Sequence, residues 1–189
     1  MVDGSRETET KFRVTDRAAL EARLHALGAV HESTEEEANT LFDSPDGRLK
    51  AGGCALRVRV TPSGGLLTFK GRAEVAAGVK SRAEYESAVG DPGAVTRVLA
   101  ALGYEPWFLY EKRRTTWRFS DPGRPFVVVD ETPMGLFAEI EGTDASVRAL
   151  ASELGVPESA FIGESYVTLW MAARRENPTL PRDMVFGAP

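Results

Sequence analysis

Along most of this chain, charged side chains recur at every second position within short segments that otherwise carry branched and aromatic apolar residues. Glu7, Glu9 and Lys11 stand two apart, as do Arg57 and Arg59, then Arg82, Glu84 and Glu86, then Lys112 and Arg114, then Glu139 and Glu141. Lys70 and Asp130 add single charges near strand ends. Successive side chains of a β-strand point to opposite faces, so residues two apart share one. Seven cations and seven carboxylates therefore collect on one side of the predicted strands. The other side carries Phe12 and Val14, Leu56, Val58 and Val60, Val127 and Val129, and Ala138 and Ile140.

The alternation predicts eight strands, over 5–14, 30–43, 53–61, 65–71, 79–90, 106–120, 125–132 and 136–142, most of them bounded by Gly or Pro turn signals. Helical spacing takes over between them. Thr15 or Asp16 can cap a helix whose Leu20, Leu24 and Leu27 share a face and whose stop is Gly28. Asp91 and Pro92 open a second, with Val95, Val98, Leu99 and Leu102 on one face and Gly103 as its stop. A third is closed by Gly155, and a fourth spans 166–175. Short connections between helix-poor blocks make this an α+β domain with a largely antiparallel sheet. The strand–helix–Leu-Gly–strand order occurs at Gly28 and again at Gly103, a hint of two similar halves. Residues 1–175 read as a single domain, and 176–189, with Pro178 and Pro181 and no periodicity, as a tail or capping segment.

The apolar strand faces are the ones the amphipathic helices need to cover, which leaves the charged faces without a layer. Such strands either present an open charged sheet to water, as many antiparallel sheets do, or curl into a barrel with a polar interior. Charge inside a barrel is costly unless it is partnered, and like-charged neighbours such as Arg57 and Arg59, or Glu139 and Glu141, repel unless opposite charge lies between them. A bound anion and bound cations would supply it. Arg forks match phosphate oxygens and Lys acts as a point charge, whereas clustered carboxylates with few His suit a hard cation such as Mg²⁺ or Mn²⁺. A polyphosphate chelated to divalent metal satisfies both sets.

Composition bounds the alternatives. With 23 Lys and Arg against 28 Asp and Glu, the net charge of −5 argues against a nucleic-acid or anionic-membrane binder acting through a global positive field. The seven and seven charges of the strand faces cancel, so the whole excess lies outside them. Cys54 is alone, which excludes a disulfide framework and fits a reducing compartment; its simplest reading is a small buried apolar residue. The charged N-terminus lacks the apolar stretch of a secretory signal, and no run of about 18 apolar residues occurs, so a cytoplasmic protein is expected. There is no P-loop, no G-x-S-x-G and no H-E-x-x-H. His25 and His31 read as surface or packing residues, Glu35, Glu36 and Glu37 as a solvated loop or strand edge, and Trp107, Trp117 and Trp170 as core.

In their order, these charges resemble the CYTH family, the triphosphate tunnel enzymes that include class IV adenylate cyclases, thiamine triphosphatases and tripolyphosphatases. The family's E-x-E-x-K is matched by Glu7-Thr8-Glu9-Thr10-Lys11, and R-x-R, T-x-K, R-x-E-x-E, K-x-R, a lone Asp and E-x-E follow in family sequence over residues 5–170. The segments LFDSPDGRL, GVKSRAEYE and GLFAEIEG are nearest the cyclase branch. The resemblance implies an eight-stranded antiparallel tunnel with helices outside. It also implies that Arg57, Arg59, Lys70, Lys112 and Arg114, with Arg82, bind a triphosphate. By the same resemblance Glu7, Glu9 and Glu141 hold Mg²⁺ or Mn²⁺, with Glu139, Asp130, Glu84 and Glu86 as direct or water-mediated ligands, and Lys11 lies nearest the chemistry.

Two positions depart from the pattern: Leu41 stands where some hydrolases pair a tyrosine with the first-motif lysine, and no lysine neighbours Tyr166. The implied activity is metal-dependent hydrolysis of tripolyphosphate, thiamine triphosphate or ATP. The alternatives are cyclisation of ATP to cyclic AMP and pyrophosphate, or a non-catalytic polyphosphate or nucleotide sensor. The expected partner is a small triphosphate, not a nucleic acid or a membrane, and a homodimer is left open.

Overall fold

The computed structural model describes residues 5–187 of the chain. The first four residues of the charged N-terminal segment and the last two of the Pro-rich tail lie outside them.

Among the described residues the order is β1 Ser5–Arg13, α1 Arg17–Ala26, β2 Ala29–Asp43, α2 Arg48–Ala51, β3 Ala55–Thr61, β4 Gly64–Lys70, β5 Glu74–Ala76, β6 Val79–Val89, α3 Pro92–Ala101, β7 Glu105–Phe119, β8 Phe126–Thr132, β9 Gly135–Glu141, α4 Asp144–Glu153, a 3₁₀ turn at Glu158–Ala160, and α5 Tyr166–Glu176. All strand pairs are antiparallel. The sheet runs β1-β9-β8-β7-β2-β3-β4-β6-β5, and a β1–β6 ladder closes eight of its strands into a barrel. Closure decides between the open sheet and the barrel: β6 pairs with β4 through residues 84–89 and with β1 through 79–84, so no long edge remains between β1 and β6.

Eight strands stand where period-two alternation places them. Three short elements escape the pattern: α2, β5 and the 3₁₀ turn are four, three and three residues long, too short to show a period. β5 exists only because residues 74–76 fold back on residues 79–81 of β6.

The helices cap as their sequences dictate. Asp16 accepts from Ala19 N and Asp91 from Ala94 N, while Thr143 and Ser146 form a reciprocal capping box. Both α1 and α3 end on Leu-Gly, with Gly28 at φ +87° and Gly103 at φ +85°, a left-handed backbone that glycine adopts without strain. Each turn launches a 15-residue strand, and these strands, β2 and β7, pair from Ala29 opposite Phe119 to Asp43 opposite Glu105.

The apolar core lies outside the barrel wall. α1 and α4 cover Phe12, Trp117, Val127, Val129, Ala138 and Ile140 with Leu24, Val147 and Leu150. His25 and His31 stack edge-on against Trp117, as packing residues. α3 sets Leu99 against Phe42 and Val58. A third cluster closes one end of the barrel, where Tyr166 and Trp170 of α5 meet Leu41, Phe108, Tyr110, Phe137 and Met184. No helix among the described residues is long and apolar enough to cross a membrane.

The segment after α5 docks on β7. Its first half has no β8 partner, because β8 pairs only with residues 113–117. Met184 fills the vacancy: its N–H donates to Leu109 O, its carbonyl accepts from Glu111 N, and its side chain is fully buried. Trp170 Nε1 donates to the carbonyls of Pro181 and Arg182, tying the segment to α5. Met184→Ala should therefore lower unfolding free energy by about 2–5 kcal/mol, read from urea denaturation; a loss below about 0.5 kcal/mol, the size of a surface change, would show that the segment is not part of the core.

Candidate functional site

The inward faces of the barrel line a cavity of about 1010 Å³ whose wall includes Glu7, Glu9, Lys11, Arg57, Arg59, Lys70, Arg82, Glu84, Glu86, Lys112, Arg114, Glu139 and Glu141. Thirteen of the fourteen charges singled out by alternation thus share one lumen. The fourteenth, Asp130, is fully buried just behind it. Strand alternation puts each side chain inward, and barrel closure makes the inward faces converge.

Three carboxylates form a cluster apart from the rest. Register sets Glu9 directly opposite Glu141 on the β1–β9 ladder, and Glu7 follows two residues away on the same face. One oxygen from each of Glu7, Glu9 and Glu141 lies within 4.8 Å of the others. Directly opposed like charges destabilise a sheet. Burial first, then Glu7 and Glu9, raise the Glu141 carboxyl to about 7. An oxygen-only donor set with excess negative charge is what a hard divalent cation requires, so these residues fit Mg²⁺ or Mn²⁺.

The other carboxylates sit on cations. Asp130 takes Arg114 in two bonds, 2.8 Å from Nε and 2.6 Å from Nη2, and accepts from Lys112 at 2.9 Å and from the Tyr166 hydroxyl at 2.9 Å. Glu139 pairs with Lys11 at 2.9 Å and Arg114 at 2.5 Å. Lys70 bridges Glu7 and Glu84 at 2.8 Å each, and Arg82 joins Glu7 at 2.9 Å. Glu86 accepts from Thr68 at 2.8 Å and from Arg57 at 3.3 Å. The Arg57 Nε has no hydrogen-bond partner among the described residues although it is buried. A buried donor left open in a cavity wall is suited to an incoming anion.

Glu37, Lys80, Tyr110 and Tyr166, outside the charge motifs, also line the lumen. Glu37 is buried between Arg59 at 3.1 Å and Lys112 at 3.5 Å, which corrects its reading as part of a solvated acidic run. Burial alone would raise its carboxyl, but Lys112, Arg114, Arg59 and Arg57 outweigh it and hold the group at about 2. The signal was present in the period-two series Ser33, Glu35, Glu37, Asn39, Leu41, obscured by the contiguous run of three Glu. Lys80, two before Arg82, is buried against Glu9. Tyr110, two before Lys112, accepts from Arg57 at 3.3 Å; burial opposes its ionisation, but Arg57, Lys112 and Arg59 lower its pKa. Tyr166 could be found from sequence only as a helix residue. Leu41 is buried in the apolar cluster, and the aromatic ring beside Lys11 comes from α5: the ammonium lies 4.1 Å from the Tyr166 centroid and donates to Glu164 O at 3.2 Å.

The α5 side of the cavity differs from the charged middle. Trp107 is half-buried and lines it, with Lys50 Nζ 4.5 Å from its ring centroid, and Cys54, Val167, Met171 and Arg175 stand on the same wall. Trp117 and Trp170 are buried in the core as expected, whereas Trp107 and Cys54 are partly exposed on the cavity.

The Glu141 shift has a consequence for stability. In the unfolded chain the carboxyl ionises near its ordinary 4.5, in the folded chain near 7, so the folded state holds more protons between those values and loses stability as pH rises through them. Glu141→Gln cannot ionise. In chelator it should be more stable than the parent at pH 8 by on the order of 2 kcal/mol and nearly equal to it at pH 5. Equal differences in Tm at both pH values would contradict the shift.

The chain is similar to known proteins over most of its length. The CYTH domain family matches residues 5–154. Among solved structures, a candidate adenylate cyclase from Vibrio parahaemolyticus is 22% identical with a TM-score of 0.77, covering 89% of this chain and 99% of that one. The PH1819 protein of Pyrococcus horikoshii OT3 is also 22% identical, with a TM-score of 0.73 and the same coverage. A candidate adenylyl cyclase from Hippeastrum, described as having a dominant triphosphatase activity, is 20% identical with a TM-score of 0.66, covering 88% and 96%. A family match over most of the chain, a closed eight-stranded barrel and an acidic cluster able to coordinate a divalent metal inside it agree: this chain belongs to the CYTH domain family of triphosphate tunnel proteins.

Proposed function

We propose that the protein hydrolyses a triphosphate with the help of a divalent metal. The observation that carries this reading is the placement of the Glu7, Glu9 and Glu141 cluster in the same cavity as the seven motif cations, which come from five strands. Bound at that cluster, Mg²⁺ or Mn²⁺ supplies Lewis-acid neutralisation of phosphate oxygens. Arg57, Arg59, Lys70, Arg82, Lys112 and Arg114 bind the remaining oxygens and stabilise charge on the transferring phosphoryl group.

Asp130 holds Lys112 and Arg114 in position, Glu139 holds Arg114 and Lys11, and Glu84 and Glu86 hold Lys70 and Arg57. Glu7, Glu9 and Glu141 then form the metal set, and Glu84, Glu86, Asp130 and Glu139 orient cations. The Lys11 ammonium donates to Glu139 and to Glu164 O, which leaves its third proton for the substrate or the attacking water. The triphosphatase activity described for the Hippeastrum protein supports hydrolysis over cyclisation.

The test incubates the protein with tripolyphosphate, thiamine triphosphate and ATP, each with Mg²⁺ and with Mn²⁺, and separates phosphate release from cyclic AMP formation. Phosphate release should dominate and should require metal; cyclic AMP at a comparable rate would overturn hydrolysis as the main activity. Arg57→Ala with Arg59→Ala should lower kcat/KM by about 10²–10⁴-fold, the loss of two charge-assisted contacts. Unchanged turnover would remove the tunnel as the site.

A second reading, cyclisation of ATP, is favoured by one observation. Trp107 beneath Lys50 offers an aromatic face beside cations on the α5 side of the cavity, suited to a neutral base. If ATP is a substrate, Trp107→Ala should reduce the ratio of kcat/KM for ATP to that for tripolyphosphate by about tenfold, the worth of one base stack, and Trp107→Phe should restore it. An unchanged ratio would dismiss a base site there.

A further inference from the structure

Lys80 lies outside every charged motif of the sequence, yet its side chain is only 7% exposed. It stands two residues before Arg82 on β6, so it shares that inward face, and register sets it directly opposite Glu9 on β1. Its ammonium forms a tight ion pair with Glu9 Oε1. Glu9 is its only ion-pair partner among the described residues, whereas the neighbouring Lys70 is anchored by both Glu7 and Glu84.

The metal cluster therefore has cations on two of its three members: Lys80 on Glu9, and Lys70 and Arg82 on Glu7. Glu141 makes no ion pair among the described residues. A dication that takes Glu9 meets an ammonium already on that carboxylate, and the two repel at close range in a poorly screened interior. The ammonium must then find another anion, and it lines the cavity in which the proposed triphosphate would lie.

Resting on the reading of Glu7, Glu9 and Glu141 as a metal site, we propose that Lys80 is an internal stand-in for the metal. It neutralises Glu9 until a divalent cation takes that carboxylate, and the displaced ammonium then binds a triphosphate oxygen. Metal and triphosphate consequently bind with positive coupling, since the first releases a ligand for the second.

Lys80→Met removes the competitor from Glu9 and the ligand from the phosphate, so its two effects have opposite signs. By titration calorimetry it should bind Mn²⁺ about tenfold more tightly than the parent. With Mn²⁺ saturating, it should bind the methylene-bridged analogue of tripolyphosphate about tenfold more weakly, and in chelator by less than about twofold. Lys80→Arg keeps the charge and holds a carboxylate in two bonds, so it should bind Mn²⁺ no more tightly than the parent.

Mn²⁺ affinity that is unchanged or weaker in Lys80→Met, or analogue binding weakened equally with and without metal, would overturn the inference while leaving the metal site intact. Failure of the parent chain to bind Mn²⁺ would instead bring down the metal site itself.

Discussion

Ion pairs that cross from strand to strand inside the barrel are the interaction on which the rest of this structure depends. An unpartnered charge in a poorly solvated interior costs several kcal/mol, so a lumen lined with Lys, Arg, Glu and Asp is tolerable only if each is met by its opposite. The registers do this: Glu7 faces Arg82, Glu9 faces Lys80, and Lys11 faces Glu139 along the strands that close the barrel. Asp130 supplies the deepest junction by joining Arg114, Lys112 and Tyr166. The pairing also explains why the apolar core lies outside the wall, where α1, α3 and α4 cover the opposite strand faces.

Two places break the pairing, and both belong to the proposed chemistry. Glu141 makes no ion pair among the described residues, and burial first, then Glu7 and Glu9, push its carboxyl up to about 7; Arg57 Nε has no hydrogen-bond partner among the described residues. One is a surplus of negative charge suited to a metal, the other a spare donor suited to an oxyanion. α5 then ties the end of the barrel to these groups. Its Tyr166 packs beneath Lys11 and reaches Asp130, so the helix that closes the lumen also orients the cations within it. The segment containing Met184 ties α5 to the half of β7 that β8 leaves open.

Much of this was legible from the chain alone. Eight strand segments and four helices follow from period two, period 3.6 and their caps, and thirteen of the fourteen charges marked by alternation line one cavity. Residues hidden from that reading share a reason. Glu37 was masked by Glu35 and Glu36, although alternation separates the one that points inward from its neighbour. Lys80 and Tyr110 each extend a charged motif by one step of two, but a single Lys or Tyr carries no signal of its own. β5 and α2 are too short for any period, and Tyr166 reaches the lumen from a helix that sequence spacing places outside the barrel.

The sequence by itself determined which residues share a face, because strand geometry makes alternation a local property that needs no knowledge of the fold. It therefore determined that a charged surface and an apolar one back onto each other across the sheet. Which charges meet was decided only by tertiary structure. Register and closure turned Glu7, Glu9 and Glu141, on strands far apart in sequence, into one cluster within 4.8 Å, and set Glu84, Glu86, Asp130 and Glu139 against cations. The physical reason is that Coulomb interaction depends on distance through space, and in a closed barrel the nearest opposite charge is across a strand pair, not along the chain.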